Sequence, residues 1–310
     1  RVIELNPQFG EAYRNRGVLY ESRSQFDLAF SDFNKAIEVT PLNGGAYESR
    51  GWFYYKVRKD SDMAISDLTK TVELNPNLAT AYISRGIVFA DKRMDDQALA
   101  DFNKAIDLNP KNENAYNSRG WFYHYKRKDY DKAIADYTKA IELNPQVDAT
   151  YISRAIVLAN KKMDDQALAD FNKAIDLNPK NENAYKSRGW FYHYKKKDYD
   201  KAAADYTKAI ELNPQIDVTY INRGTVFANK SMDEEALADF NKAIELNPKS
   251  FVACYEKARF YAIRNDTEEA CLWLKKAISL GYDHWDQIKK DKSFDKMRTF
   301  SCYMEIIGGR

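Results

Sequence analysis

One short string, Leu-Asn-Pro or a close variant, ends at Pro7, Pro41, Pro76, Pro110, Pro145, Pro179, Pro214 and Pro248. Successive spacings are 34, 35, 34, 35, 34, 35 and 34 residues. A fixed period of this size marks an array in which each repeat is one supersecondary unit. Such a unit buries its apolar face only by stacking on its neighbours. The alternation is regular too. The longer spacing belongs to units that carry a Trp-Phe-Tyr string, starting at Trp52, Trp121 and Trp190, with one extra residue in the middle. Two units together make 69 residues, and residues 77–145 and 146–214 are nearly the same text, as expected from duplication of a two-unit block.

Inside a unit, small and apolar residues recur at helical spacing. Between Glu113 and Pro145, Tyr116, Gly120 and Tyr123 mark one face of a first helix. Ala133, Tyr137 and Ala140 mark one face of a second. Gly120 lets the two helices approach closely, and the basic segment that includes Asp129 is the turn between them. Pro145 closes the unit, because proline cannot continue a helix interior. The Asn before it suits a left-handed helix cap. No β-branched alternation occurs, so strands are not expected.

The string "AYNSRGWFYHYKRKDYDKAIADYTKAIELNP" resembles a tetratricopeptide repeat. The resemblance covers residues 8 to about 282. It implies an all-α fold: a right-handed α-solenoid, or superhelix, of antiparallel helix pairs. About eight units are expected, then a C-terminal capping helix. First helices would line a concave groove and second helices the convex back. The expected boundaries are a remnant of a preceding repeat at 1–7, the array at 8–282 in blocks 8–76, 77–145, 146–214 and 215–282, and a capping segment at 283–310. In that segment Trp285, Ile288, Phe294, Met297 and Phe300 would cover the last unit, and residues 308–310 would fray.

One feature departs from the family pattern. Three residues after the first-helix aromatic, where an apolar residue is usual, stand Arg16, Arg50, Arg85, Arg119, Arg154, Arg188 and Arg223. The second helices answer with Asp32, Asp67, Asp101, Asp136, Asp170, Asp205 and Asp239, three residues after the core Ala. Both positions face inward, and a buried charge must be paired. An Arg–Asp ion pair is therefore expected within each unit or between adjacent ones. In the eighth unit both members change together, to Lys257 and Trp273.

The repeated "WFYHYK" strings raise the question of where so many rings point. Helical geometry places Trp121, His124 and Tyr125 on one stripe, away from the core face. The resemblance implies that this stripe faces the groove. Its equivalents are Trp52, Tyr55 and Lys56 in one unit and Trp190, His193 and Tyr194 in another. Ile87 and Ala90, Ile156 and Ala159, and Thr225 and Ala228 would form shallower pockets between them. Asn117, Ser118, Ser153, Ser187 and Asn222 would add hydrogen-bonding groups. Phe53, Phe122 and Phe191 are expected to pack between units. The family's basic carboxylate clamp needs Lys and Asn at first-helix positions that here read Glu48, Trp52, Ile83, Ile87, Asn117 and Trp121, so binding of peptide C-termini is not carried over.

The bulk figures narrow the function. The chain has 48 basic and 46 acidic residues, without the basic excess of a dedicated nucleic-acid binder. Basic turns alternate with acidic ones, which reads as a solvated rim. No apolar run approaches the roughly 20 residues that span a bilayer. Three cysteines, Cys254, Cys271 and Cys302, make no disulfide framework, so a fold independent of oxidation is expected. No His or Cys cluster has metal-ligand spacing, and no phosphate-binding loop or catalytic constellation stands out. The expectation is a non-enzymatic scaffold without metal or cofactor, binding an extended polypeptide. A carbohydrate or cell-wall-fragment binder, stacking sugars on Trp and Tyr, is one alternative. A module that associates with itself, through an N-terminal edge left bare by the missing helix, is the other.

Overall fold

A computed structural model describes residues 2–308. Arg1 and residues 309–310 lie outside it, and with them part of the segment expected to fray. The described residues are helical with no strand. They fall into two compact units, Arg1–Lys161 and Lys162–Arg310.

In the first unit a short helix, Val2–Leu5, precedes pairs formed by Gly10–Ser22 with Phe26–Val39, Gly44–Phe53 with Ser61–Leu74, Ala79–Asp91 with Asp95–Leu108, and Glu113–Phe122 with Tyr130–Leu143; Asp148–Asn160 comes next. The pairs are antiparallel. A Cβ placed on Gly10 would strike Thr40, and one on Gly17 would meet Phe33. The start of this first helix therefore lies against the end of its second. Gly120 works the same way: a Cβ there would sit 3.0 Å from Tyr137 Cε1.

The second unit begins with Asp164–Leu177. It pairs Glu182–Trp190 with Tyr199–Leu212, Asp217–Asn229 with Asp233–Leu246, and Phe251–Ile263 with Thr267–Ser279. Trp285–Lys290, a 3-10 turn at Lys292–Met297 and Ser301–Gly308 then close it. Ile288, Phe294, Met297 and Tyr303 pack with Tyr255, Leu274 and Ala277, and Trp285 lies beside them. Phe300, expected in this face, is 49% exposed; Tyr303 fills the core instead.

Turn chemistry sets the boundaries. Asp60, Asp129 and Asp198 accept hydrogen bonds from the backbone N–H three residues on, capping the second helices of the 35-residue units. Left-handed backbone appears at Ser24, Lys59, Arg93, Lys128, Lys162, Lys197, Ser231 and Asn265, between first and second helices. It does not appear at the Asn before proline: Asn109 and Asn144 have φ of −142° and −141°. The side chain of that Asn accepts from the backbone N–H two residues on, as Asn109 Oδ1 does from Lys111 N at 3.1 Å, so the link turns without a left-handed residue.

The extra residue of the longer units has a clear location. Their first helices end in π turns at Tyr54–Arg58, Tyr123–Arg127 and Phe191–Lys196. The insertion is taken up inside the helix as a wider turn, and the left-handed lysine comes directly after it. Such π turns occur mostly as single-turn bulges and often at functional sites.

The cysteines correct an expectation. Cys271 is bonded to Cys302, tying Thr267–Ser279 to Ser301–Gly308 across 31 residues of sequence. The helix pairing brings the two together; nothing in their spacing announces it. Cys254 stays free and buried.

Candidate functional site

Five of the inward arginines join two repeats. Arg119 Nε and Nη2 donate to Asp136 Oδ2 and Oδ1 at 2.8 and 2.7 Å, a two-pronged contact within the pair. Its Nη1 donates to Asn103 Oδ1 of the preceding pair at 2.7 Å. Arg50 reaches Asp67 and Asn34, Arg85 reaches Asp101 and Thr69, Arg188 reaches Asp205 and Asn172, and Arg223 reaches Asp239 and Thr207. Arg16 holds Asp32 in the same two-pronged way. Arg154 Nη1 donates to Thr138 at 3.0 Å; Asp170 is buried in the other unit. The carboxylates are buried, while the arginines keep an edge to solvent: 21% of the Arg119 side chain is exposed against 8% of Asp136. The hydrogen bond to Asp136 outweighs burial and holds the Arg119 guanidinium above its ordinary pKa.

The aromatic stripe differs from the helical-wheel expectation. Trp121 is half-buried and Tyr125 is 51% exposed, with ring centroids 5.9 Å apart. His124 is only 5% exposed. In an unbroken α-helix it would share the stripe with Trp121 and Tyr125. The π turn adds a residue to the loop and rotates the succeeding side chains back toward the core. Tyr125 comes to lie beside Trp121, and His124 turns inward against Tyr125 and Tyr130, at 4.0 and 5.9 Å between centroids. The second unit repeats this: Trp190 is half-buried and Tyr194 exposed, while His193 is buried with its Nε2 3.1 Å from Asn229 Nδ2. His124 and His193 are thus core residues and not groove residues. Burial, with Lys128 and Lys197 nearby, pushes their pKa values down to about 4, so both rings are neutral at neutral pH.

Lysines finish the stripe. Lys56, Lys126 and Lys195 hold their Nζ atoms 4.9, 5.2 and 5.3 Å from the ring centroids of Trp52, Trp121 and Trp190, within cation–π range. Other basic turn residues pair with the acidic turn of the preceding unit: Arg58 with Asp27, Arg127 with Asp95 and Asp96, and Lys196 with Asp164. The rim of alternating sign is thus cross-linked charge to charge, each exposed pair contributing little by itself.

Within the first unit there is an open cavity of about 320 Å3. Its lining is Tyr55, Ile87, Asp91, Asn117, Ser118, Trp121, Tyr137 and Ser153, from four successive first helices and one second helix. The Tyr55 hydroxyl donates to Asp91 Oδ2, and Lys126 Nζ donates to Asp91 Oδ1 at 2.8 Å. Burial pushes the Asp91 carboxyl up, but these two donors prevail and hold it below the usual range. Burial and Asp91 together push the Tyr55 phenol up to about 12. Asp91 and Tyr137 are the members of this cavity that sequence reasoning missed. Of the other residues expected in the groove, Ile156 and Asn222 are half-buried and Trp52 stacks edge-on with Tyr55 at 5.7 Å. Among the described residues no His, Cys, Asp and Glu group could hold a metal ion, and no helix is long and apolar enough to cross a membrane.

Tandem antiparallel helix pairs, a 34/35-residue period and side chains converging from successive first helices define a helical-repeat scaffold. The chain belongs to the tetratricopeptide repeat family. Sequence models of that family match residues 114–147, 149–181, 191–216, 218–250 and 252–282. A model of the protein prenyltransferase alpha subunit repeat also matches residues 95–125. Solved structures share the fold. A tetratricopeptide repeat protein from Parabacteroides merdae has a TM-score of 0.62 at 20% identity, over 87% of this chain and 99% of that one. Yeast Tom70 has a TM-score of 0.63 at 22% identity, over 92% and 64%. PilF of Pseudomonas aeruginosa has a TM-score of 0.56 at 23% identity, over 68% and 94%. A curated relative, the UDP-N-acetylglucosamine–peptide N-acetylglucosaminyltransferase of Giardia intestinalis, is 49% identical over 47 residues. That stretch is 15% of this chain and 3% of the relative's length.

Proposed function

We infer that this chain is a non-enzymatic scaffold that holds an extended polypeptide along its first helices. One observation carries the reading: Tyr55, Ile87, Asn117 and Trp121, from three successive repeats, border one open cavity. An extended segment crossing them meets ring, aliphatic and amide surfaces in turn. Backbone groups can bond to Asn117 and Ser118 while side chains enter between the rings. Trp and Tyr are favoured anchors at protein interfaces. The exposed Tyr125 and Tyr194 extend the same aromatic face within each unit. The charge-paired turns leave no uninterrupted basic track for a nucleic-acid backbone, which supports a polypeptide partner.

The test is tryptophan fluorescence of the intact chain, titrated first with random-sequence dodecapeptides and then with oligosaccharides. A saturable change with peptides, abolished by Trp121→Ala, supports the reading. Saturation with sugars alone points to the carbohydrate alternative.

A further inference from the structure

The Tyr137 hydroxyl is the part of the cavity that the fold does not need. The equivalent position, one residue after the paired aspartate, holds Phe33, Leu68, Phe102, Phe171 and Phe240 in five other repeats, and a second tyrosine, Tyr206, with a likewise unpartnered hydroxyl, in the duplicated one. In those five an apolar side chain simply fills the core. Tyr137 fills it as well, at 1% exposure and against Gly120, but adds an oxygen. That oxygen has no hydrogen-bond partner among the described residues, and Tyr137 lines the cavity. Burial raises the phenol's pKa; Ser153, on the same cavity wall, pulls it the other way without meeting the oxygen in hydrogen-bond geometry. A buried hydroxyl left unpaired carries an uncompensated desolvation penalty. A guest group that bonds to it recovers that loss on binding.

The lining limits what the guest can be. Asp91 is the one formally charged residue among the eight, and Lys126 and Tyr55 already satisfy it. A cationic guest would meet Lys126 without a free carboxylate; an anionic guest would meet Asp91 without a free cation. Either would be desolvated without compensation. A purely apolar guest would leave the Tyr137 oxygen dry. The remaining polar groups are neutral: the Asn117 amide and the Ser118, Ser153 and Tyr137 hydroxyls, each able to donate and accept. Ile87 and Trp121 supply apolar surface for a short methylene stem.

We propose that this cavity receives the carboxamide side chain of a Gln or Asn in an extended polypeptide, with the Tyr137 hydroxyl as the group that reads it. This rests on the scaffold reading above. A carboxamide offers one acceptor oxygen and two N–H donors without charge, which complements the lining.

Tyr137→Phe isolates the claim. It removes one oxygen and installs the side chain that Phe102 already supplies in the neighbouring repeat. The melting temperature should hold or rise, since an unpaired buried hydroxyl is lost. Decapeptide pools with a random background and one fixed guest (Gln, Glu, Lys or Leu) are titrated calorimetrically against wild type and variant. Wild type should bind the Gln pool roughly three- to tenfold more tightly than each of the others, the effect of one hydrogen bond. In Tyr137→Phe that preference should vanish. A Glu, Lys or Leu pool binding wild type as tightly as Gln overturns the proposal and leaves the scaffold reading standing. So does a Gln preference that survives Tyr137→Phe. Failure of every pool to bind overturns the scaffold reading and the proposal with it.

Discussion

Lys257 Nζ lies 3.8 Å from the Trp273 ring centroid, where the preceding repeats carry an arginine and an aspartate. Its ammonium also donates to Asn241 Oδ1 at 2.6 Å, the contact to the preceding repeat that Asn103 and Asn172 make elsewhere. The last repeat keeps the inter-repeat hydrogen bond and exchanges the ion pair for a cation over an indole. Burial pushes the Lys257 pKa down and outweighs the opposing pull of Glu269.

That exchange makes the two sites respond differently to loss of the cation. Arg119→Met strands the buried Asp136 carboxylate and should cost about 3 kcal/mol in urea unfolding. Lys257→Met strands no charge; the lost cation–π contact is partly offset by removing a buried ammonium. Its cost should stay within about 1 kcal/mol. Equal losses at the two sites would show that the aspartate is not what makes the arginine indispensable.

The two arms of Arg119 should separate two terms of array stability. Asp136→Ala breaks a contact inside one helix pair, and Asn103→Ala breaks one between pairs. In a stacked array, stability is the sum of intrinsic and interface terms. Asp136→Ala should cost about 2–4 kcal/mol in urea unfolding, because Arg119 keeps one edge in water. Asn103→Ala should cost about 1 kcal/mol and broaden the transition by weakening coupling between neighbours. A sharp, unbroadened transition for Asn103→Ala would count against the bridging role.

Acid sensitivity arises from the buried imidazoles. Their folded pKa values of about 4 lie below the ordinary 6.5, so below pH 6.5 the unfolded chain takes up protons that the folded chain refuses. Their contribution is complete above pH 6.5 and is lost as pH falls through the folded values, on the order of 3 kcal/mol per ring in full. Between pH 6.5 and 5, before most carboxylates titrate, unfolding free energy should therefore decline. Replacing both histidines with Tyr, the residue at the equivalent Tyr55, should flatten that limb in chemical denaturation measured across pH. An unchanged slope would place the rings in contact with water.

The closing segment should depend on oxidation. The Cys271–Cys302 bond closes a loop of 31 residues, for which chain entropy predicts about 3–4 kcal/mol. Cys302→Ser should speed amide exchange across Ser301–Gly308 and leave exchange in Gly10–Leu143 unchanged. Equal exchange in both forms would mean that packing of Tyr303 alone holds the segment.

Much of this architecture was legible because it rests on spacing. The prolines mark the repeats, and the joint change to Lys257 and Trp273 identifies coupled positions. Three features were hidden for physical reasons. The extra residue of the longer units has no sequence marker for a π turn, so a helical wheel carries His124 and His193 to the wrong side. The Asn and Thr arms recur two residues after each aspartate, a period present in the text but silent until arginine geometry shows a third donor. Asp91 belongs to a turn-proximal position that looks solvated until Tyr55 and Lys126 reach it from neighbouring repeats.

The most direct test of the scaffold account is selection of displayed dodecapeptides on the intact chain, then affinity measurement of the winners. Trp121→Ala, at the cavity wall, should weaken them at least about tenfold, the loss expected of a central aromatic anchor. Lys104→Ala, exposed on a second helix, should leave them unchanged. Selected peptides that bind Trp121→Ala as tightly as wild type, or that lose affinity equally with Lys104→Ala, would contradict it.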